Sequence, residues 1–227
     1  MVLGGRERQR VLAVAQREEA RLLAVEHVLD QLISGMERDL ERFPSPEAGH
    51  DVAPKDVVAL LNRGELDDYT YFAAGCVGEF WTDLMATHLP PLRLLLQPEL
   101  RVRGVALGKA LQMVNVVRDV QSDLRGGRCY WPVDILGEHG LSPVQLAQIF
   151  AKPAGAVTAD EQKKLESVTA ALLELSQELI AIARPYVDAI PKNELRLKLA
   201  CAWPLQLADE TVQALRAHKT PLGQPVK

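Results

Sequence analysis

The sequence is poor in aromatic residues, in cysteine and in any excess of positive charge. Phe, Trp and Tyr make up 5% of the 227 residues. Leu, Ala, Val, Glu, Gln and Arg dominate instead, a composition that favours helix over strand. The net charge of −4 supplies no basic field, which excludes nucleic acid as a partner. Three cysteines, Cys76, Cys129 and Cys201, lie far apart with no C-x-x-C pair. So sparse and odd a set excludes a disulfide framework and fits a reducing, cytoplasmic compartment. Cys76 and Cys201 fall in apolar helical runs, where a small buried hydrophobe is the plain expectation. The first ten residues are polar and Arg-rich, without the apolar stretch a secretory signal needs. No apolar run reaches the ~18 uninterrupted residues of a membrane span. These absences predict a soluble protein and leave peripheral membrane contact open. The histidines His27, His50, His88, His139 and His218 are scattered without ligand spacing, which excludes a His-type metal centre.

What is present is helical periodicity with clear punctuation. From Arg6 to Phe43 apolar residues recur at helical spacing (Leu22, Val25, Leu29, Leu32, Ile33, Met36 and Leu40 among them), and Pro44 and Pro46 end the run. Pro54 followed by residues up to Asn62 predicts a short helix stopping before Gly64. Glu65 to His88 predicts the next helix, and Pro98 to Leu124 a long one ended by Gly126 and Gly127. Ser142-Pro143 opens a short helix to about Phe150, with Ser as cap and Pro at the first helical position. Thr158 opens a helix to about Ile190, kinked at Pro185, and Pro191 opens a last one to about Ala217. No strand alternation, repeat or low-complexity linker stands out, so one all-α domain over residues 1–227 is the expected organisation.

The helix around residues 108–124 carries more apolar residues than one stripe needs, so it is expected to be largely buried. Yet Gln112, Asn115, Asp119 and Asp123 recur at spacings of three, four and four and form one polar line. Burying two carboxylates and two amides in a dry core costs several kcal/mol. The line therefore faces water, a polar cavity or cations. Asp119 and Asp123 are one turn apart, roughly 6 Å along the axis, a spacing that lets two carboxylates hold Mg²⁺ whose remaining ligands come from water and a diphosphate. On spacing alone D-x-x-x-D is a common pattern. Arg128 emerges beside the acidic end, either to pair with Asp123 or to reach a bound diphosphate.

With these residues in place, GKALQMVNVVRDVQSDLRGGRCYWP (Gly108 to Pro132) resembles the second aspartate-rich region of squalene and phytoene synthases. LDDYTYFAAGCVGEFW (Leu66 to Trp81) is similar to that family's tyrosine-bearing helix. A weaker likeness runs through CAWPLQLADETV (Cys201 to Val212), and ISGMERDLERF (Ile33 to Phe43) fits the helix preceding the tyrosine motif. The resemblance implies an all-α, isoprenoid-synthase-type helical bundle and a Mg²⁺-dependent enzyme that joins two prenyl diphosphates head to head. It implies that Asp119 and Asp123 bind metal, that Gln112, Asn115 and Arg118 line the same site, that Arg128 lies near the diphosphates, and that Tyr69 handles a proton or cation. Tyr69, Tyr71, Phe72 and Phe80 are the candidates for π-faces around a carbocation. Ala73, Ala74, Gly75 and Gly78 leave room either for a C15 chain or for close helix packing.

The wording of these motifs is closer to squalene synthases, which turn farnesyl diphosphate into squalene with NADPH, than to phytoene synthases, which form phytoene or dehydrosqualene without net reduction. The family also carries an earlier D-x-x-x-D on a facing helix, and this chain shows none before Tyr69. Its nearest acids there are Glu37, Asp39 and Glu41. The resemblance therefore implies an N-terminally truncated bundle with one wall missing. Three explanations stay open: a misplaced start in a longer natural protein, a fragment, or a true short homologue that has lost activity. An oligomer, a partner or a membrane covers the exposed apolar face, or the protein is a non-catalytic, synthase-like interaction protein.

Overall fold

The computed structural model describes residues 5–43, 51–153 and 155–218, so the Pro44–Pro46 helix stop lies outside the described residues. Among the described residues the chain forms nine α-helices. These are α1 (Gly5–Arg42), α2 (Arg63–Thr70), α3 (Cys76–His88), α4 (Pro98–Arg118), α5 (Val120–Arg125), α6 (Val133–Glu138), α7 (Pro143–Ala151), α8 (Ala159–Ala189) and α9 (Leu195–His218). The expected all-α architecture is what the chain adopts. Among the described residues no helix is long and apolar enough to cross a membrane.

Helix α4 is the central rod. It packs along α8 for most of its length and also meets α3 and α9. Ala110, Met113, Val114, Val116 and Val117 of α4 are buried against Leu165, Val168, Leu172, Leu173 and Ile180 of α8. The large apolar surplus noted around residues 108–124 is thus consumed by neighbours on several sides, as burial of that helix requires. Trp131 is fully buried beside it and donates its indole N–H to the carbonyl of Val116 at 3.1 Å. All three cysteines are free and buried.

Helix starts follow local capping chemistry. Ser142 and Thr158 each accept from the backbone N–H three residues on, while Gln145 and Glu161 reach back to the cap, completing capping boxes at α7 and α8. Helix α8 continues through Pro185. Pro191 does not open the last helix, because Pro191 to Asn193 form a turn and α9 begins at Leu195.

Two corrections concern the site. After a single 3-10 turn at Pro54–Asp56, the segment expected to be a short helix becomes a strand, β1 (Val58–Ala59). It pairs in parallel with β2 (Arg128–Cys129). Pro54 sets only the first turn, and the following Val57-Val58 run suits an extended backbone better than a helix. Gly127, at φ +78°, takes the left-handed conformation that lets the chain leave α5 and enter β2. The second correction is a five-residue π-helical turn, Tyr71–Gly75, between α2 and α3, where the Cys76 N–H reaches the Tyr71 carbonyl. The expected single helix from Glu65 to His88 is therefore re-phased just after Tyr69.

Helix α1 forms as its periodicity predicts, but its apolar stripe is largely uncovered: Leu22, Leu29, Ile33, Met36 and Leu40 are all exposed, and Val28 is buried. Its C-terminal half lies against α3 and the π turn. The close approach is at Gly35, where an added Cβ would fall 2.7 Å from Cβ of Phe72.

Candidate active site

Asn62 caps α2 by accepting from the Glu65 N–H at 3.0 Å, and Tyr69, three residues after buried Leu66, shares its inward side. The Tyr69 hydroxyl accepts from Nε2 of Gln112 at 2.9 Å. Its ring stacks on Tyr130 with centroids 4.2 Å apart and planes at 21°. Phe43 meets the other side of Tyr130 edge-on at 5.1 Å. The β1–β2 pairing fixes Tyr130 and Arg128, since the Leu60 N–H donates to the Cys129 carbonyl between them.

Asp39 closes this assembly from α1. One of its oxygens accepts from the Tyr130 hydroxyl at 2.9 Å, and the other accepts from Nη1 of Arg128. Burial pushes the Tyr69 and Tyr130 hydroxyls above the usual phenol range, so both remain protonated donors.

A cavity of about 530 Å³ lies between α1 and the α2–π turn segment. Its apolar wall includes Leu32, Met36, Leu40, Phe72 and Ala73, and its polar end holds Tyr69, Tyr130, Arg128 and Asp39. Arg38 stands 4.4 Å over the ring of Phe72 in the same wall. Of the aromatic candidates, Tyr69 and Phe72 line this space. Tyr71 turns away to donate to Glu79 at 3.0 Å, and Phe80 is not part of the lining.

The polar line of α4 ends at this assembly. Gln112, Asn115, Asp119 and Asp123 are each half-buried rather than fully exposed, and the amide of Asn115 points at Oε1 of Gln112 at 3.5 Å. At Asp119 the helix is distorted (φ −95°, ψ 7°), though the Asp119 N–H still reaches the Asn115 carbonyl at 2.8 Å. Arg118 is exposed and clamps the Asp119 carboxylate through Nε and Nη2 at 2.7 and 2.6 Å. Asp123 points inward. Burial first, then the charge of Asp119, pushes its carboxyl up to about 6, with Arg128 opposing and Asp39 adding to the rise. A carboxylate held at such a cost beside a second acid is one whose charge a dication would relieve.

Among the described residues no three His, Cys, Asp or Glu side chains gather closely enough to cage a metal ion. Two hard oxygen donors without a protein cage suit Mg²⁺, which keeps several waters and shares its shell with a diphosphate. The donor set fits that ion once Arg118 releases Asp119.

The structure thus brings Tyr69, Gln112, Arg128 and Asp123 into one neighbourhood and places Asp119 beside Asp123. Asn115 stands behind Gln112. Arg118 faces solvent and Asp119 instead of the cavity. Of the three candidate acids on α1, Glu37 and Glu41 are exposed, and only Asp39 turns inward. Tyr130 and the inward role of Asp39 escaped sequence reasoning. Tyr130 lies within the Arg128–Pro132 motif, but Asp39, which accepts from its hydroxyl, is 91 residues away along the chain.

In this all-α bundle the central helix leads into an acid pair near Arg128, at the polar end of an apolar cavity. Residues 4–227 match the family described as squalene/phytoene synthase, and the chain belongs to that family. It is 32% identical to a bifunctional lycopene cyclase/phytoene synthase of Podospora anserina over 170 residues, which cover 73% of this chain and 26% of that protein. It is 26% identical to a 15-cis-phytoene synthase of Pantoea ananas over 98% of this chain and 68% of the relative. A squalene synthase from Alicyclobacillus acidocaldarius shares the fold with a TM-score of 0.62 at 21% identity, covering 85% of this chain and 60% of that one. The chain spans only about a quarter of the Podospora protein's length.

Proposed function

We propose that this site ionises one prenyl diphosphate and couples it head to head to a second, with farnesyl diphosphate as substrate and squalene as product. The observation that carries the reading is the polarity of the cavity, apolar along α1 and Phe72 and ending at Arg128, Tyr69 and Tyr130. The allylic C–O bond breaks with its electron pair leaving on the diphosphate. The double bond of the second chain attacks the resulting carbocation, and proton loss closes a cyclopropyl diphosphate. Arg128 meets the leaving charge through its guanidinium fork. Tyr69, its hydroxyl fixed by Gln112, offers a π-face to the cation, and the apolar wall keeps water from quenching it. Asp119 and Asp123 would hold Mg²⁺, which when bound neutralises diphosphate charge as a Lewis acid. NADPH would enter only for the reduction to squalene.

A second reading is favoured by the names of the curated relatives, which are phytoene synthases, and it ends without net reduction. The deciding experiment incubates the chain with Mg²⁺ and either farnesyl or geranylgeranyl diphosphate, with and without NADPH, and identifies products by mass spectrometry. Squalene formed only with NADPH supports the first reading. A reductant-independent C30 or C40 product supports the second. The absence of product from either substrate overturns both readings for this chain.

The metal assignment has its own test. Asp119→Asn is expected to abolish diphosphate-dependent Mg²⁺ binding by calorimetry. Stability should change by less than about 1 kcal/mol, because the Arg118–Asp119 pair is roughly two-fifths exposed on each side. Unaltered Mg²⁺ binding would sink the assignment of Asp119.

A further inference from the structure

We infer that Asp39 is a positioning residue that holds Arg128 with its diphosphate-binding edge turned outward. The inference rests on the reading of Arg128 given above. Asp39 is well placed for this work. Its side chain is 16% exposed, it comes from a different element than Arg128 and Tyr130, and its two oxygens divide their partners. Oδ1 takes the Tyr130 hydroxyl, and Oδ2 takes Nη1 of Arg128.

The distribution of bonds on the guanidinium is informative. Both of its contacts, to Asp39 and to Tyr130 at 3.4 Å, use Nη1. Among the described residues nothing engages Nε or Nη2. That remaining edge is the one whose two parallel N–H groups match two oxygens of a phosphate. A carboxylate that competed with the ligand would sit on that edge, as Asp119 does on Arg118, where Nε and Nη2 are both taken. Asp39 instead grips the far corner and leaves the fork open. Arg128 is a long side chain with about 2 kcal/mol of rotamer entropy, so an anchor at one corner removes a cost that ligand binding would otherwise meet.

The same carboxylate steadies the aromatic stack. By holding the Tyr130 hydroxyl it fixes the ring on which Tyr69 lies. Because α1 supplies Asp39 together with the cavity wall of Leu32, Met36 and Leu40, one helix sets both the apolar and the polar ends of the site.

The experiment measures binding of inorganic pyrophosphate with Mg²⁺ by calorimetry for wild type, Asp39→Ala, Asp39→Asn, Arg128→Ala and the double variant Asp39→Ala/Arg128→Ala, with thermal melts as a check on folding. Asp39→Asn keeps an acceptor for Tyr130 and loses the charged acceptor facing Arg128, so it also serves if the alanine variant folds poorly. Asp39→Ala and Asp39→Asn are each expected to weaken pyrophosphate binding about tenfold or more. In the Arg128→Ala background the Asp39 change is expected to have no further effect, since its action passes through Arg128. Wild-type affinity in the Asp39 variants, or tighter binding, overturns the inference, the latter by making Asp39 a competitor. An equal loss in both backgrounds overturns it too, by reducing Asp39 to a general structural role. A wild-type chain that does not bind pyrophosphate at all overturns the proposed function itself, and this inference with it.

Discussion

Asp123→Asn will cut product formation by about a thousandfold and, in the same protein, raise stability at pH 7. The loss follows from the position of Asp123, inward-facing beside Asp119 and within the field of Arg128. A charge-stabilising group aimed at the reacting centre of a water-poor site contributes on the order of 10²–10³ in rate. On the proposed reading the change also removes a ligand to the metal, and a second contribution with it. The stability gain follows from the carboxyl being held at about 6 in the fold against an ordinary value of 3.8. Below the ordinary value the group is protonated in both folded and unfolded chains, and it contributes nothing. Between the two values only the folded chain keeps the proton, so stability falls as pH rises through this window. Above about 6 the deficit is complete, on the order of 2 kcal/mol after allowance for partial exposure.

Asn cannot ionise and escapes that deficit. Melts in EDTA should therefore show the variant more stable than wild type by several degrees at pH 7 and equal to it near pH 4. Adding Mg²⁺ and pyrophosphate should raise the Tm of wild type alone. A variant that retained activity would remove Asp123 from the site. A variant less stable at pH 7 would mean that a bound counter-charge already satisfies the carboxylate.

The parts of the molecule legible in the sequence are those built by short-range chemistry. Helices α4, α7 and α8 announce themselves through short-range chemistry: apolar periodicity, Ser142 and Thr158 as caps, Gly126 and Gly127 as a stop. The Asp119–Asp123 spacing is equally local, and the surplus of apolar residues around it marks that helix as buried. The contacts that make a site of these residues are of another kind. Asp39 meets Arg128 across 89 residues, and Tyr69 meets Gln112 across 43. The two-residue strand at Val58–Ala59 exists only because Arg128–Cys129 returns beside it, and no alternation of two residues can advertise that. The π turn after Tyr69 was hidden for a similar reason. Its residues have ordinary helical character, so nothing local marks the extra residue in the turn. That the small residues of this segment serve packing and cavity alike was open in the sequence. The structure divides them, with Ala73 lining the cavity while Ala74, Gly75 and Gly78 face α4.

That division yields the second large effect, which falls on stability. Gly108→Ala will destabilise the fold by about 3 kcal/mol or more, although Ala is the better helix former by about 1 kcal/mol. A Cβ at Gly108 would stand 2.1 Å from the Ala74 carbonyl oxygen and 2.7 Å from its carbon, backbone atoms that no rotamer change can move aside. Gly78 stands in the same relation to Gly104, whose carbonyl oxygen would lie 2.1 Å from an added Cβ. The two contacts set how closely the π turn and α3 lie on α4, and that spacing brings Gln112 within reach of the Tyr69 hydroxyl. For a chain of this length the loss corresponds to a fall in Tm of roughly 6–12 °C. Gly75→Ala offers the control, because its nearest neighbour would be Cγ of the flexible Lys109 side chain at 2.9 Å, and it should cost far less. If thermal melts ranked Gly75→Ala with Gly108→Ala, close backbone approach would not be what holds α3 to α4. If Gly108→Ala lost stability yet kept full product formation, the reach from Gln112 to Tyr69 would not depend on that spacing.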